Sequence, residues 1–244
     1  AGKAPAHTRI GWMRSVTNIN HAFAIGSFVD ELAHAKGLDS KDHLLAMLGK
    51  DRKIDFALEN AEYGNYGETL EKFPVDTARM KAVIEKVSAM AKWGRKLPKG
   101  HGLGIAMHRS FVSYVACIVE VSENSDGKIS VIDVWMAVDC GLAVNPERIR
   151  SQMEGAAIFA LSYSFYSELT AKNGVIEQSN FDNYQIARLA DAPTTHVEII
   201  DSDAPPGGVG EPGVPPIAPA ICNAIFNATG KRYRELPLKQ YGIV

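Results

Sequence analysis

Residues 104–139 read GIAMHRSFVSYVACIVEVSENSDGKISVIDVWMAVD, and this stretch decides the fold class. Its three runs, 104–110, 111–122 and 128–139, are rich in the β-branched and aromatic residues that are frequent in strands. The last two runs are separated by Asn-Ser-Asp-Gly at 124–127, a composition typical of turns. The stretch therefore predicts three consecutive β-strands.

Helical patterns lie on both sides of these strands. Apolar residues recur at helical spacing in the segments 20–36, 40–48, 77–93, 147–165 and 217–229. Ser40 and Asp76 stand where helix N-caps are expected. Shorter strands are expected near 167–171, 175–179 and 195–201. Because helices and strands come in blocks instead of alternating strictly, their order predicts an α+β fold.

The composition is that of an ordinary globular protein, with 244 residues, 46% apolar and 22% charged. A net charge of -2 argues against nucleic acid or an anionic membrane surface as a partner. No apolar run approaches the roughly 20 residues that a transmembrane helix needs, so no transmembrane segment is expected. Because the chain begins with AGKAPAHT and not with Met, we expect a processed or excised piece, and any targeting segment would lie outside it.

The three cysteines, Cys117, Cys140 and Cys222, are far apart and form no C-x-x-C pair. This spacing argues against a disulfide framework, a zinc site or an iron–sulfur cluster carried by this chain alone. We expect all three to be small buried side chains.

Three basic residues lie at the first predicted strand: His101 just before it, and His108 and Arg109 near its end. No Asp or Glu stands at metal-ligand spacing from them, so we interpret them as structural or interface residues and predict no metal ligand. A Ser-His-Asp hydrolase is disfavoured because the chain has no G-x-S-x-G motif.

One carboxylate, Glu211, stands in a stretch that is otherwise built from Pro, Gly, Val, Ile and Ala: PPGGVGEPGVPPIAP at 205–219. Glycines let the backbone approach a ligand closely, and prolines stiffen the loop. A carboxylate held in a rigid, apolar loop suits a general base. The alternative is a Glu that projects into water from a tight turn.

The same stretch matches G-x-G-x-x-G at 208–213, the spacing of a dinucleotide-binding loop. A phosphate cradle needs backbone N–H donors, and the prolines at 212, 215, 216 and 219 have none. Glu211 would also repel a pyrophosphate. We therefore reject the dinucleotide interpretation.

Several segments, taken in order, resemble the molybdenum hydroxylases, the superfamily of xanthine dehydrogenase and aldehyde oxidoreductase. The likeness is strongest to the branch typified by the large subunit of isoquinoline 1-oxidoreductase. It is carried by WMRSVTN at 12–18, HRSFVSYVA at 108–116, VDCGLAVNP at 138–146, RSQMEG at 150–155, EQSNF at 177–181, GGVGEPGVPPIAPA at 207–220 and NAIFNATGK at 223–231. The most specific parts are GVGEPG and the Q-x-E-G that begins at Gln152.

The resemblance implies a role for particular residues. Glu211 matches the family's active-site base, Gln152 the glutamine that hydrogen-bonds the molybdopterin, and Arg14 the arginine of a loop beside the metal. The backbone of Gly208, Val209 and Gly210 would lie against the cofactor. The implied fold is that of a molybdenum cofactor-binding domain, with mixed sheets and packed helices. Thr17 stands where the family often has Gly, which puts the shape of the loop after Arg14 in question.

The resemblance also implies partners, because the chain matches only the later part of a molybdopterin-binding subunit. Residues 1–244 would form the C-terminal part of that domain, with a sub-division near residue 100 between a mostly helical portion and a mixed portion. The cofactor would be molybdopterin cytosine dinucleotide with molybdenum, shared with a second polypeptide that completes the subunit. Iron–sulfur clusters would lie on a partner subunit. The compartment would be the bacterial periplasm or cytoplasm, and the family branch favours the periplasm.

The implied activity is oxidation of a small-molecule substrate, an aldehyde or an N-heteroaromatic compound, with oxygen derived from water. The alternative is a catalytically silent subunit that keeps the fold as a docking surface.

Overall fold

The helices and strands follow the predicted blocks closely in this computed structural model, which describes residues 11–58 and 60–244. The helices are α1 (Asn18–Ala35), α2 (Ser40–Leu48), α3 (Thr77–Met90), α4 (Pro146–Phe165) and α5 (Ile217–Thr229). The strands are β1 (His101–Ser110), β2 (Ser113–Glu123), β3 (Ile129–Asp139), β4 (Ala171–Lys172), β5 (Val175–Ile176) and β6 (Thr194–Ile199).

The main sheet has the strand order β1-β2-β3-β6. The first three strands form an antiparallel meander, whereas β6 pairs parallel to β3 and makes the sheet mixed. The predicted turn at 124–127 connects β2 to β3, with Gly127 at a φ of 75°. The two-residue turn between β1 and β2, Phe111-Val112, has both residues in the left-handed region. Strands β4 and β5 form a separate small hairpin.

Helices cover both faces of the main sheet, which explains why β2 is apolar without alternation. The side chains of Tyr114, Ala116 and Ile118 belong to the core cluster under α3, which α2 borders. The alternating side chains of Val115, Cys117, Val119 and Val121 belong to the cluster under α4 and α5. The α+β prediction, with mixed sheets and packed helices, is therefore confirmed.

Helix α5 lies directly on β1, and this contact fixes the chain that precedes the helix. A Cβ atom added to Gly104 would stand 2.1 Å from the carbonyl oxygen of Ala220, and one added to Gly102 would stand 2.2 Å from that of Ala224. Only glycine permits such an approach at these two positions. Helix α5 is buried from Ile217 to Ile225. The proline-rich loop before it therefore ends at a helix that is held in the core.

Three details differ from the sequence expectations. Asp39, not Ser40, caps α2, since its side chain accepts a hydrogen bond from the Asp42 amide. Helix α3 ends at Met90, before the predicted end at 93, because Lys92 turns into the left-handed region. The strands expected at 167–171 and 175–179 shrink to β4 and β5, each two residues long and exposed to solvent.

All three cysteines are buried and free, as expected. Asp76 caps α3 as predicted, by accepting a hydrogen bond of 2.8 Å from the Ala78 amide. Within the described ranges, no helix combines the length and the apolarity needed to cross a bilayer. The sub-division near residue 100 stays a prediction.

Candidate functional site

The glycine-rich loop that carries Glu211 is tied by its backbone to the ends of two strands. The Gly207 amide donates to the carbonyl of Cys140, just after β3, at 2.7 Å. The Gly208 amide donates to the carbonyl of Phe111 at 2.9 Å, and the Ser113 hydroxyl donates to the carbonyl of Gly208 at 2.7 Å. The loop is therefore held in place by the sheet, without any large side chain of its own.

The glycines of this loop have different reasons to be glycine. A Cβ on Gly207 would stand 2.4 Å from the Ser113 hydroxyl oxygen, and one on Gly208 would stand 2.9 Å from the Cβ of Phe111. At Gly210, a Cβ would meet no atom within 4 Å among the described residues, and the backbone is not left-handed. Close contacts therefore require glycine at 207 and 208, whereas a side chain at 210 would extend into open space.

Glu211 is held by Ser15, which is nearly 200 positions earlier in the chain. The Ser15 amide donates to Oε1 of Glu211 at 2.9 Å, and the Ser15 hydroxyl donates to the Glu211 carbonyl at 2.6 Å. The second carboxylate oxygen, Oε2, accepts no hydrogen bond from the residues that the structure describes. The carboxylate is thus oriented through one oxygen and open at the other.

Arg14 joins the glycine-rich loop to the start of α4. Its Nε donates to the carbonyl of Gly210 at 2.8 Å, and its Nη2 donates to Gln152 at 3.1 Å (carbonyl) and 2.9 Å (Oε1). Burial lowers the pKa of the Arg14 guanidinium, and the negative charge of Glu211 opposes that shift. The structure therefore brings Arg14, Gln152, Gly210 and Glu211 together from three distant segments.

Two hydrogen-bond donors of this cluster are unused. The side-chain oxygen of Gln152 is taken by Arg14, which leaves the Gln152 amide nitrogen and Arg14 Nη1 without a partner among residues 11–58 and 60–244. Such donors, next to the open backbone of Gly210, suit a ligand that is rich in hydrogen-bond acceptors. They fit the pterin cofactor that the sequence resemblance implies.

Val209 contributes differently from its two glycine neighbours. Its side chain is half-buried against the main core and lines a cavity of about 170 Å³ next to Cys140 and Ile149. The approach of its backbone to the cofactor, which the resemblance implies, stays a prediction.

A second cavity, of about 400 Å³, adjoins Arg14 on the side of α4. Its walls are mostly apolar and aromatic, including Ile158, Phe159, Phe181 and Tyr184. The guanidinium carbon of Arg14 lies 5.8 Å from the centroid of the Phe159 ring. The volume falls within the range of small-molecule sites.

The basic residues near β1 make structural contacts. His101 Nδ1 lies 2.7 Å from a carboxylate oxygen of Glu120, and Arg109 donates to the side-chain oxygen of Asn65 at 2.9 Å. His108 Nε2 lies 3.0 Å from the side-chain oxygen of Asn18. Within the described ranges, no group of three His, Cys, Asp or Glu residues could hold a metal ion.

Sequence reasoning missed Ser15, the residue that orients Glu211. The only signal was its place directly after Arg14 in WMRSVTN, because its contacts with Glu211 depend on a tertiary approach that no local pattern encodes. The turn Phe111-Val112, which receives Gly208, was also missed as a support of the site.

The chain is similar to known proteins along most of its length. Residues 34–193 match the family model of the molybdopterin cofactor-binding domain. This range includes Gln152 but neither Arg14 nor Glu211. The chain is 32% identical over 238 residues to the membrane-bound aldehyde dehydrogenase (pyrroloquinoline-quinone) of Gluconacetobacter polyoxogenes, covering 95% of this chain and 29% of that protein. It is 31% identical over 232 residues to the isoquinoline 1-oxidoreductase subunit beta of Brevundimonas diminuta, covering 93% and 26%.

Among solved structures, the aldehyde oxidoreductase of Desulfovibrio gigas superposes with a TM-score of 0.63 over 92% of this chain and 40% of that one. At 12% identity, this likeness concerns the fold alone. The chain spans less than a third of the length of the two sequence relatives named above. Since the family model covers more than half of the chain, the protein belongs to the molybdopterin cofactor-binding domain family.

Proposed function

We propose that this chain forms part of a molybdenum-dependent oxidoreductase and that Glu211 is its general base. The observation that carries the proposal is the arrangement of Glu211 beside Arg14 and Gln152. One carboxylate oxygen is fixed by the Ser15 amide at 2.9 Å, and the other accepts no hydrogen bond from the described residues. A base needs this combination of fixed position and free acceptor.

The cofactor, when bound, supplies the redox chemistry, and the protein supplies position and proton transfer. Gln152, Arg14 and the backbone of Gly208, Val209 and Gly210 would hold the cofactor through neutral or cationic donors. Oε2 of Glu211 would accept the proton that a water-derived nucleophile loses. Ser15 would keep the carboxylate from rotating away during that transfer.

The substrate that we propose is an aldehyde or an N-heteroaromatic compound. The names of the two sequence relatives, an aldehyde dehydrogenase and an isoquinoline oxidoreductase, support these two classes. The apolar cavity beside Arg14 gives room for a small planar molecule near the site. Both classes present an electron-poor carbon, so the same base chemistry serves either.

We further propose that a second polypeptide completes the cofactor site and that iron–sulfur clusters on a partner subunit accept the electrons. Support comes from the share of the relatives that the chain spans, 29% and 26% of their lengths. Arg14 Nη1 and the Gln152 amide nitrogen also lack partners among the described residues, which is expected if further protein and the ligand complete the site.

Analysis of the intact complex tests the cofactor. The complex would be purified through this chain, and its molybdenum, iron and released organic cofactor would be identified by elemental analysis and mass spectrometry. We expect molybdenum with a pterin and a cytosine nucleotide, and a co-purifying iron–sulfur subunit. Pyrroloquinoline quinone in place of the pterin, or a stable monomer without metal or partners, would contradict the proposal.

A further inference from the structure

The turn that presents the Ser15 amide to Glu211 has an unusual backbone. Ser15 has a φ of 72° and Val16 a φ of 49°, so two consecutive residues other than glycine are left-handed. This region is especially unfavourable for a β-branched residue such as Val16. A turn of this kind persists only where the surrounding contacts hold it.

Asn18, the first residue of α1, supplies one of those contacts. Its side-chain nitrogen donates to the carbonyl of Ser15 at 3.0 Å, and its backbone amide donates to the same carbonyl at 3.0 Å. Its side-chain oxygen accepts from the Tyr66 hydroxyl at 3.0 Å and lies 3.0 Å from His108 Nε2. Two groups at the oxygen therefore direct the amide nitrogen toward Ser15.

The protonation states of the two groups suit this arrangement. Burial lowers the pKa of His108 to about 4, so the ring is neutral at neutral pH and its Nε2–H tautomer can donate to Asn18. Burial also raises the pKa of Tyr66, which keeps its hydroxyl protonated as a donor. The Asn18 side-chain oxygen thus accepts two hydrogen bonds, and its side-chain nitrogen points toward the Ser15 carbonyl.

Tyr66 also contacts Phe111, a residue that holds the glycine-rich loop. Its ring lies against that of Phe111, with centroids 4.8 Å apart, and the Phe111 carbonyl accepts the hydrogen bond from Gly208. Tyr66 is itself left-handed, with a φ of 60°. The preceding Asn65 is held by buried Arg109, which donates to its side-chain oxygen at 2.9 Å.

We propose that Tyr66 and Asn18 are positioning residues for Glu211. Tyr66 fixes the orientation of the Asn18 amide, Asn18 holds the left-handed turn, and the turn aims the Ser15 amide at the carboxylate. The same tyrosine packs against Phe111. It therefore contacts both Asn18, which holds the turn at Ser15, and Phe111, which holds the glycine-rich loop. This inference rests on the proposed function of Glu211 as a base.

Tyr66→Phe tests the inference because it removes only the hydroxyl and keeps the ring against Phe111. Tyr241→Phe is the control, since the Tyr241 ring packs against Tyr233 and its hydroxyl makes no hydrogen bond among the described residues. Asn18→Asp is a second variant, which keeps the acceptor oxygen and removes the donor to Ser15. In the purified complex, we would measure molybdenum content, kcat, KM and amide hydrogen exchange over residues 13–18.

We expect Tyr66→Phe to lower kcat about fivefold, the effect of one lost hydrogen bond, with KM and molybdenum content unchanged. Amide exchange over 13–18 should rise by a similar factor, and Asn18→Asp should change both kcat and exchange at least as much. Tyr241→Phe should stay within about twofold of the wild type. Unchanged kcat and exchange in Tyr66→Phe, or equal effects in Tyr241→Phe, would overturn the inference.

Failure of the base role itself would give a different result. Glu211→Gln would then keep its turnover while Tyr66→Phe still accelerated exchange over 13–18. That outcome would leave Tyr66 as a support of the turn and would overturn its proposed part in catalysis.

Discussion

At the scale of single residues, the site contains one glycine that close packing requires and another that packing does not explain. Gly208 is required by its contact with Phe111, since any Cβ would stand 2.9 Å from the Cβ of that residue. Gly210 has no such neighbour within 4 Å among the described residues. A glycine without a structural reason, beside unused donors, indicates a position that a ligand approaches closely.

Gly210→Ala should therefore separate folding from binding. We expect a change of less than about 0.5 kcal/mol in the free energy of unfolding, because the added methyl group meets open space. Molybdenum content of the purified complex should fall, because the methyl group occupies the space in front of the site. Gly208→Ala is the contrasting variant, expected to lower stability. Full molybdenum content in Gly210→Ala would contradict the proposed approach of the cofactor.

A second prediction at this scale concerns His108, whose folded-state pKa of about 4 lies below its ordinary value of 6.5. Between these values the unfolded chain binds a proton that the folded chain does not, so stability falls as the pH drops from about 6.5 toward 4. From pH 7 to pH 5 we expect a loss of about 2 kcal/mol from this group.

Unfolding by urea at pH 7 and pH 5 measures this loss in the wild type and in His108→Gln. The glutamine cannot take up a proton, so the pH dependence of this variant should be flatter by that amount. Equal pH dependence in the wild type and His108→Gln would show that His108 is not held neutral by burial.

At the scale of helices and strands, local sequence signals predicted most of the elements. Asp76 at the start of α3 and Gly230 after α5 are capping residues whose effect is local. Strand β2 is apolar at successive positions because both of its faces are buried. The parallel pairing of β3 with β6 joins residues about 60 positions apart, and no local pattern specifies it. The left-handed turn at Ser15 likewise depends on a distant residue, because Ser15 is hydrogen-bonded to Glu211.

The contact between α5 and β1 gives a prediction at this scale. Gly104→Ala would place a Cβ 2.1 Å from the Ala220 carbonyl oxygen, so α5 must move away from the sheet. We expect a loss of about 3 kcal/mol or failure to fold, since the obstacle is backbone. Gly64→Ala, where the Cβ meets nothing within 4 Å of the described residues, should be close to neutral in the same thermal unfolding measurement. Equal melting temperatures for the two variants would contradict the packing argument.

At the scale of the whole molecule, the candidate site is a meeting point of three distant segments on one rigid sheet. The turn after Arg14, the start of α4 and the glycine-rich loop before α5 converge through hydrogen bonds of 2.6 to 3.1 Å. The resemblance of sequence motifs predicted that Glu211, Arg14 and Gln152 belong to one site, and the structure places them together. Their roles in binding and catalysis remain the proposal.

The most direct test of that proposal is the turnover of Glu211→Gln in the intact complex at equal molybdenum content. Glutamine keeps the volume of the side chain and an oxygen for the Ser15 amide, but it cannot accept a proton. Glu147→Gln, which changes an exposed carboxylate in the first turn of α4, is the control. We predict a loss in kcat of about 100-fold or more for Glu211→Gln, with molybdenum still bound. A kcat within about twofold of the wild type would contradict the base role and favour a catalytically silent docking subunit.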